Sequence, residues 1–169
     1  IKHLENISYK FNKIGSNPKL IKISLNSILQ DIVFYYNKRI PKSKTLLITL
    51  NIDNNYFIVG DYILLYWSIE NLIKNSIDSI KNKRGLIDIK VEQIDNYIKI
   101  YVTDNGIGIH NKNRNKIFKP GYSTKIRGWG LGLSLSKRII KDIHNGEIKL
   151  EASKNNKTVF LISLKNFYS

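Results

Sequence analysis

The 169-residue sequence has no cysteine, no methionine, three prolines and three histidines, and only 13 acidic residues against 28 lysines and arginines. Each shortage excludes something. Without cysteine there is no disulfide framework and no thiolate metal site, which suits a reducing compartment. Methionine is missing even at the first position, where Ile1 stands, as expected of a piece of a longer chain. No apolar run approaches the roughly 18 residues that span a bilayer, and nothing resembles a signal peptide. Internal repeats and linkers within the body are absent too. The formal charge of +15 would suit a nucleic-acid binder. Its lysines, however, are scattered among solvent-facing Asn and Ile filler rather than gathered in a stripe, so no nucleic-acid partner is expected. One local basic excess remains, and an anionic small ligand would account for it.

What is present is an ordinary apolar fraction of 42%, with ten tyrosines and six phenylalanines for bulk, enough for one domain with a real core. HLENISYKFNKIG (3–15) carries Leu4, Ile7, Phe11 and Ile14 at helical spacing, stopped by Gly15, Ser16 and Pro18. LIKISL (20–25) alternates as a strand does, and LNSILQDIVFYYNKR (25–39) is helical and ends before Pro41. KTLLITLNI (44–52) and NNYFIVG (54–60) are β-rich and are expected to pair as a hairpin. DYILLYWSIENLIKNSIDSIKNK (61–83) is the longest periodic segment, with Asp61 placed to cap it. GLIDIKVEQ and NYIKIYVTD are alternating strands joined at Ile94-Asp95. A polar tract follows over 104–128, then a helix over about 129–144 and two strands, GEIKLEAS and TVFLISLK, around Lys154-Asn155-Asn156. The pattern is mixed α/β, helices on one face of a sheet that ends in antiparallel strands. So long a structureless tract inside a compact domain tends to be a functional lid.

Four places could carry chemistry. At about 100° per residue, Tyr62, Leu65, Tyr66, Ile69, Leu72, Ile73, Ser76 and Ile80 share one face of the long helix, and Asn71, Asn75 and Asp78 share the other. Carboxamides are weak helix formers. Their oxygen can ligate a hard cation such as Mg²⁺ and their NH₂ can meet a phosphate, although a solvated face of an Asn-rich protein reads the same way. In YVTDNGIGIH (101–110) a strand delivers Asp104 to its end, where the carboxylate can accept from an amino group such as that of adenine. Gly106 and Gly108 let the backbone turn and a flat ring approach; a plain D-N-G turn has the same letters. In NKIFKPGYSTK (115–125), Phe118 and Tyr122 suggest anchors on the core. Lys112, Arg114, Lys116, Lys119, Lys125 and Arg127 make the tract basic, and with the Ser123 and Thr124 hydroxyls they suit a triphosphate. GWGLGLSLSKR (128–138) fails the dinucleotide fingerprint, because Leu133 stands where glycine is needed and no strand precedes it, and it lacks the P-loop pattern. What is left is G-x-G-x-G-L running into a helix, whose free N–H groups attract anions.

In order and spacing, N-L-I-K-N-S (71–76), D-N-G-I-G-I (104–109), I-F-K-P-G-Y-S-T-K (117–125) and G-W-G-L-G-L (128–133) resemble the N box, first glycine box, F box and second glycine box of sensor histidine kinases. The resemblance extends from about residue 20 to 165. It implies the Bergerat, or GHKL, fold: a two-layer α/β sandwich with a mixed sheet of about five strands, three helices on one face and a flexible ATP lid. It also implies ATP and Mg²⁺ as cofactors. Asn75 would be the principal Mg²⁺ ligand and Asn71 a second polar contact. Asp104 would bind the adenine amino group with Gly106 and Gly108 beside the ring, and Gly128, Gly130 and Gly132 would flank the phosphates. Lys125 and Arg127 would be lid cations, completing a catalytic set with Asn71 and Asn75. Asp78, Ile109, Tyr122, Ser123, Thr124, Leu131 and Leu133 fill out the nucleotide-binding set. F-N-K-I-G-S (11–16) resembles the end of the second helix of a dimerisation and phosphoacceptor domain, which divides the chain into 1–17 and a catalytic domain over 18–169.

The departures from the family pattern are informative. Gly121 stands where many members have a second aromatic, with Tyr122 beside it, and Ser76 stands where alanine is usual. Hydrolytic relatives (gyrase, mismatch-repair and heat-shock chaperone ATPases) carry a glutamate where this chain has Asn71. Without a carboxylate there, water is poorly activated and transfer to a protein acceptor is favoured. Glu70 lies about 100° around the helix and does not substitute. His3 is followed by Leu4 rather than an acidic residue and sits on the wrong helix, while His110 and His144 read as structural, so the acceptor histidine is expected outside this chain. The resemblance therefore implies transfer of the ATP γ-phosphate to a histidine on a helical hairpin of its own or a sister chain in a homodimer, and relay to a response regulator receiver domain. It also implies a cytoplasmic domain of a protein anchored in the inner membrane. The competing readings are a DNA-linked GHKL-type ATPase, which the charge favours and Asn71 opposes, and a non-catalytic nucleotide-binding module, which Asn75, Asp104 and the glycines oppose.

Overall fold

The computed structural model describes residues 12–16, 18–40, 45–81, 84–125, 128–154 and 156–169. In chain order its elements are β1 (Ile21–Ser24), α1 (Leu25–Asn37), β2 (Thr45–Ile52), β3 (Phe57–Gly60), α2 (Tyr62–Ser79), β4 (Arg84–Ile94), β5 (Tyr97–Asp104), a 3₁₀ turn (Asn111–Asn113), α3 (Gly132–Arg138) continued by a π-helical turn (Ile139–Ile143), β6 (Glu147–Lys154) and β7 (Lys157–Lys165). Of the helix expected over 3–15, residues 12–15 are helical and 3–11 lie outside the described residues.

Alternation along β4 and β5 sends Ile87, Ile89 and Val91, and Ile98, Ile100 and Val102, to the helix-covered face, where all are buried. The sheet runs β2-β4-β5-β7-β6, with β2 and β4 parallel and the other pairs antiparallel. β5 is the middle strand, and its last residue, Asp104, is paired with Ile87 on one side and Thr158 on the other. The mixed five-stranded sheet and single helical layer agree with the expected sandwich. The helix expected over 129–144 starts at Gly132 and changes to π pitch at Ile139.

The hairpin expected from 44–52 and 54–60 does not form. β2 pairs in parallel with β4, Ile48 opposite Ile87, whereas β3 joins β1 in a separate two-stranded sheet, Ile23 opposite Ile58. The turn between them is clamped onto the start of α1 instead of closing on itself. The Asn26 side chain donates to the Asn54 carbonyl at 2.8 Å and accepts from the Tyr56 amide at 2.9 Å, and the Leu25 amide donates to the Tyr56 carbonyl at 3.0 Å.

Asp61 caps α2 by accepting from the Leu64 amide at 3.0 Å. The helix ends at Ser79, short of residue 83. Its buried arc is wider than one stripe. Leu65, Ile69, Leu72 and Ile73 enter the main core, while Leu64 packs in a second cluster with Ile14, Leu135 and Ile139. Tyr62 and Tyr66, expected on the core face, are half-buried and stacked on each other with centroids 6.5 Å apart.

His144 ties this end of the helix to the π turn. Its Nε2 accepts from the Asp61 amide at 3.0 Å. Its Nδ1 lies 2.8 Å from the Ile139 carbonyl, which can only accept, so the proton resides on Nδ1. Burial pushes the imidazole below its ordinary value of 6.5, against smaller raising effects of the Ile139 carbonyl and Asp61. The unfolded chain therefore takes up a proton near pH 6.5 that the folded chain refuses until lower pH, and stability drains as the pH falls through that window. Urea titrations are expected to show the unfolding free energy of the wild type decreasing below pH 6.5, with a shallower decrease in His144→Gln.

Candidate nucleotide-binding site

Asp104 sits where the middle strand ends beneath the last turn of α2, only 3% exposed. Its carboxylate is surrounded by donors. Oδ2 accepts from the Ser76 hydroxyl at 2.8 Å and Oδ1 from the Gly106 amide at 2.9 Å. The Ser79 hydroxyl lies 3.1 Å from Oδ1 and 2.8 Å from the Ser76 carbonyl, and its single proton serves one of them at a time. A Cβ at position 106 would stand 1.8 Å from Ser79 Oγ, so glycine is what lets the backbone pass under the helix end. The loop is stitched on both sides: Ile107 N–H donates to the Ser79 carbonyl at 3.1 Å, and Ile109 N–H to Ser153 Oγ of β6 at 2.7 Å. A free D-N-G turn would need none of this.

Further up α2, the carboxamide face is not a solvated one. Asn71 is half-buried, and its NH₂ donates to the Gly132 carbonyl at 3.3 Å and to Ser136 Oγ at 3.2 Å, holding the start of α3. Asn75 Oδ1 accepts from Lys125 Nζ at 3.0 Å, and the same ammonium lies 2.6 Å from Asp78 Oδ2. Lys125 thus reaches from the lid back across to α2. Both ends of this ion pair are about half exposed, so it is worth about 0–1 kcal/mol and is easily exchanged for another partner. Glu70 is held on the other side of the helix, where it accepts from the Tyr36 hydroxyl at 3.2 Å. It is turned toward α1 and away from Asn71 and Asn75.

The lid is anchored by its aromatics. Phe118 meets Phe160 of β7 edge-on with centroids 6.3 Å apart, and Tyr122 is half-buried against the core. Its two arms are pinned where the Gly121 amide donates to the Gly130 carbonyl at 3.1 Å. Gly130 has φ +67°, and a Cβ there would lie 2.4–2.6 Å from backbone atoms of Gly121 and Tyr122. A Cβ at Gly128 would come within 2.4 Å of Ser123 Oγ, whereas at Gly132 the nearest atom would be Asn71 Oδ1 at 3.5 Å. Gly130 is thus required by the packing of the lid on itself, Gly128 is crowded only by a serine hydroxyl that can turn aside, and Gly132 is spacious. Ser123 accepts from the Lys125 amide at 3.0 Å, and Thr124 is exposed. Leu131 and Leu133 pack on the second cluster and the main core respectively. Arg127 lies outside the described residues.

The structure therefore strings the expected residues along α2 in two groups. Asn71, Asn75 and Asp78 face α3 and the lid, Asp104 and Gly106 gather at the last turn of α2, and Gly108 and Ile109 lie beyond them against Ser153 of β6. Sequence reasoning missed Ser79, Ser136 and Ser153 as supports, because isolated serines have no periodicity, and gave Ser76 a place on one face of the helix and a departure from the family pattern but no role at Asp104.

Residues 60–166 match the family model described as histidine kinase-, DNA gyrase B-, and HSP90-like ATPase. The chain belongs to this family of ATP-binding domains. Sporulation kinase B of Bacillus subtilis (strain 168) is 33% identical over 121 residues, which cover 72% of this chain and 28% of that protein. Sporulation kinase C of the same organism is 33% identical over 174 residues, covering 91% and 40%. The chain thus spans well under half the length of either relative. Among solved structures, the nucleotide-free catalytic domain of histidine kinase ThkA superposes with a TM-score of 0.77 at 26% identity, over 88% of this chain and 96% of that one. The same kinase in complex with the response regulator protein TrrA shares the fold, with a TM-score of 0.73 at 22% identity over 97% of this chain and 48% of that one.

Proposed function

We propose that this chain is the catalytic part of a two-component sensor histidine kinase, passing the γ-phosphate of ATP to a histidine on a helical hairpin and thence to a response regulator aspartate. The observation that carries this reading is Asn71. It occupies the place where the hydrolytic members of the family hold a carboxylate, and its amide is spent on Gly132 and Ser136 rather than on activating water. Residues 18–169 are assigned to ATP binding and catalysis and 1–17 to the end of the phosphoacceptor hairpin, in a homodimeric protein whose catalytic domain faces the cytoplasm and whose remainder is anchored in the inner membrane. No helix among the described residues is long and apolar enough to cross a membrane.

In this reading Asp104 accepts from the adenine amino group while Gly106, Gly108 and Ile109 line the ring. Tyr122, Ser123, Thr124, Gly128, Gly130, Leu131, Gly132 and Leu133 border the phosphates. The donor set suits a hard cation: Asn75 Oδ1 and Asp78 Oδ2 converge on the Lys125 ammonium, so positive charge is already accommodated there. Mg²⁺ held by Asn75 would neutralise phosphate charge when bound. Lys125, released from Asp78, and Arg127 would take up the remaining charge on the transferring group. The acceptor imidazole is the nucleophile, and the chain's own task is to position and neutralise.

Isothermal titration is expected to show saturable ATP binding by the isolated chain, with no ³²P incorporated into it from labelled ATP. Self-phosphorylation would overturn the placement of the acceptor outside the chain. DNA-stimulated ATP turnover would favour the gyrase-like reading instead.

A further inference from the structure

We propose that Ser76 is a positioning residue that sets the base selectivity of the site through Asp104; this rests on the nucleotide reading above. Ser76 is 1% exposed and its hydroxyl lies 2.8 Å from Asp104 Oδ2, which is itself buried. A carboxylate offers about four lone-pair directions. The Gly106 amide and the Ser79 hydroxyl approach Oδ1, and the Ser76 hydroxyl takes one direction at Oδ2. One direction at Oδ2 is left. With Ser76 in place the carboxylate is gripped from both oxygens and cannot turn about its terminal bond, so the remaining lone pair has one fixed aim.

A fixed, buried acceptor discriminates by what it meets. A base with an exocyclic amino group supplies the missing donor. A base with an oxo group at that position sets an acceptor against an acceptor, and the unpaired buried group is what makes such sites selective. Without the Ser76 hydroxyl the carboxylate is held from the Oδ1 side alone and a water fills the vacated volume. Water carries two protons, so it can donate to Asp104 and to an oxo base together, which relieves the mismatch. Ser76 therefore acts mainly on selectivity rather than on the presence of binding.

The test compares ATP with inosine triphosphate, which differs by oxo for amino at the position read. Dissociation constants are measured on the chain, each variant being checked for cooperative thermal unfolding without nucleotide. The wild type is expected to prefer ATP. Ser76→Ala is expected to reduce that preference by about tenfold, equivalent to about 1.4 kcal/mol, and Ser76→Thr, which keeps the hydroxyl, to restore it. Ser76→Cys fills nearly the same volume with a weak donor and is expected to lie between; it reads the same ratio if the alanine variant does not fold. An alanine or cysteine variant whose preference stays within about twofold of wild type, or a threonine variant no more selective than alanine, overturns the proposal. Failure of the wild type to bind ATP, or unchanged binding by Asp104→Asn, would instead overturn the nucleotide reading itself.

Discussion

Asp104→Asn is expected to weaken ATP binding by about a hundredfold or more while leaving the chain folded. The carboxylate is approached by the Ser76 hydroxyl, the Gly106 amide and the Ser79 hydroxyl, all of them donors. An asparagine offers one accepting oxygen and one donating NH₂ in the same volume. If its oxygen faces Gly106, its NH₂ faces the place of the adenine amino group, donor against donor. If its oxygen faces the base, its NH₂ opposes the Gly106 N–H. Either orientation leaves a buried donor unpaired, at about 1–3 kcal/mol, and forfeits a charged acceptor worth about as much again; two decades of affinity correspond to about 2.8 kcal/mol. Calorimetric titration with ATP reads the effect directly. Affinity within threefold of wild type would remove Asp104 from the site.

Gly130→Ala is the second large effect expected. At φ +67° any L side chain is strained by about 1–2 kcal/mol, and here the added Cβ would lie 2.4–2.6 Å from backbone atoms of Gly121 and Tyr122. Backbone cannot rotate aside as a side chain can, so the Gly121–Gly130 hydrogen bond that pins the lid must open. ATP affinity is expected to fall at least about tenfold on the loss of that bond and the strain together, with faster proteolytic cleavage around residues 119–131. The thermal midpoint should move little, because the main core lies elsewhere. Gly132→Ala is the matched control for the pin alone: its Cβ finds 3.5 Å of room at Asn71, so cleavage around residues 119–131 should stay at the wild-type rate. Equal protease sensitivity of the two variants would show that the pin does not hold the lid.

Much of this was legible in the residues. The period-two runs of β4 and β5 and the Asp61 cap are local signals and formed as expected, and α2 formed with a wider buried arc and an earlier end than its stripe implied, because burial of one face decides such elements. Asp104, Asn75 and the glycines stand out as candidates in the sequence by their order along the chain and the family resemblance that this order carries. The β2–β3 hairpin was misread because strand pairing is not a local property. Both runs prefer extended backbone, but β2 pairs along its full length with β4, from Thr45 opposite Arg84 to Ile52 opposite Val91, and Asn26 captures the turn. The role of Gly130 in lid packing, the hold of Asn71 on α3 and the reach of Lys125 to Asp78 join residues far apart in sequence, and no spacing rule announces them. The serines around Asp104 are the clearest case: a hydroxyl matters here only because a carboxylate arrives opposite it from another element.

The pairing of Asp104 with Thr158 has a consequence for how the lid is free to vary. Everything between them, lid, α3 and β6, is one excursion whose two ends are neighbours in the sheet. The entropy of closing such a loop grows only with the logarithm of its length, about 0.6 kcal/mol per doubling. Residues inserted between the Phe118 anchor and the Gly130 pin would therefore cost the sheet little. The fold can hold the floor around Asp104 constant while the lid above it is lengthened, shortened or recharged.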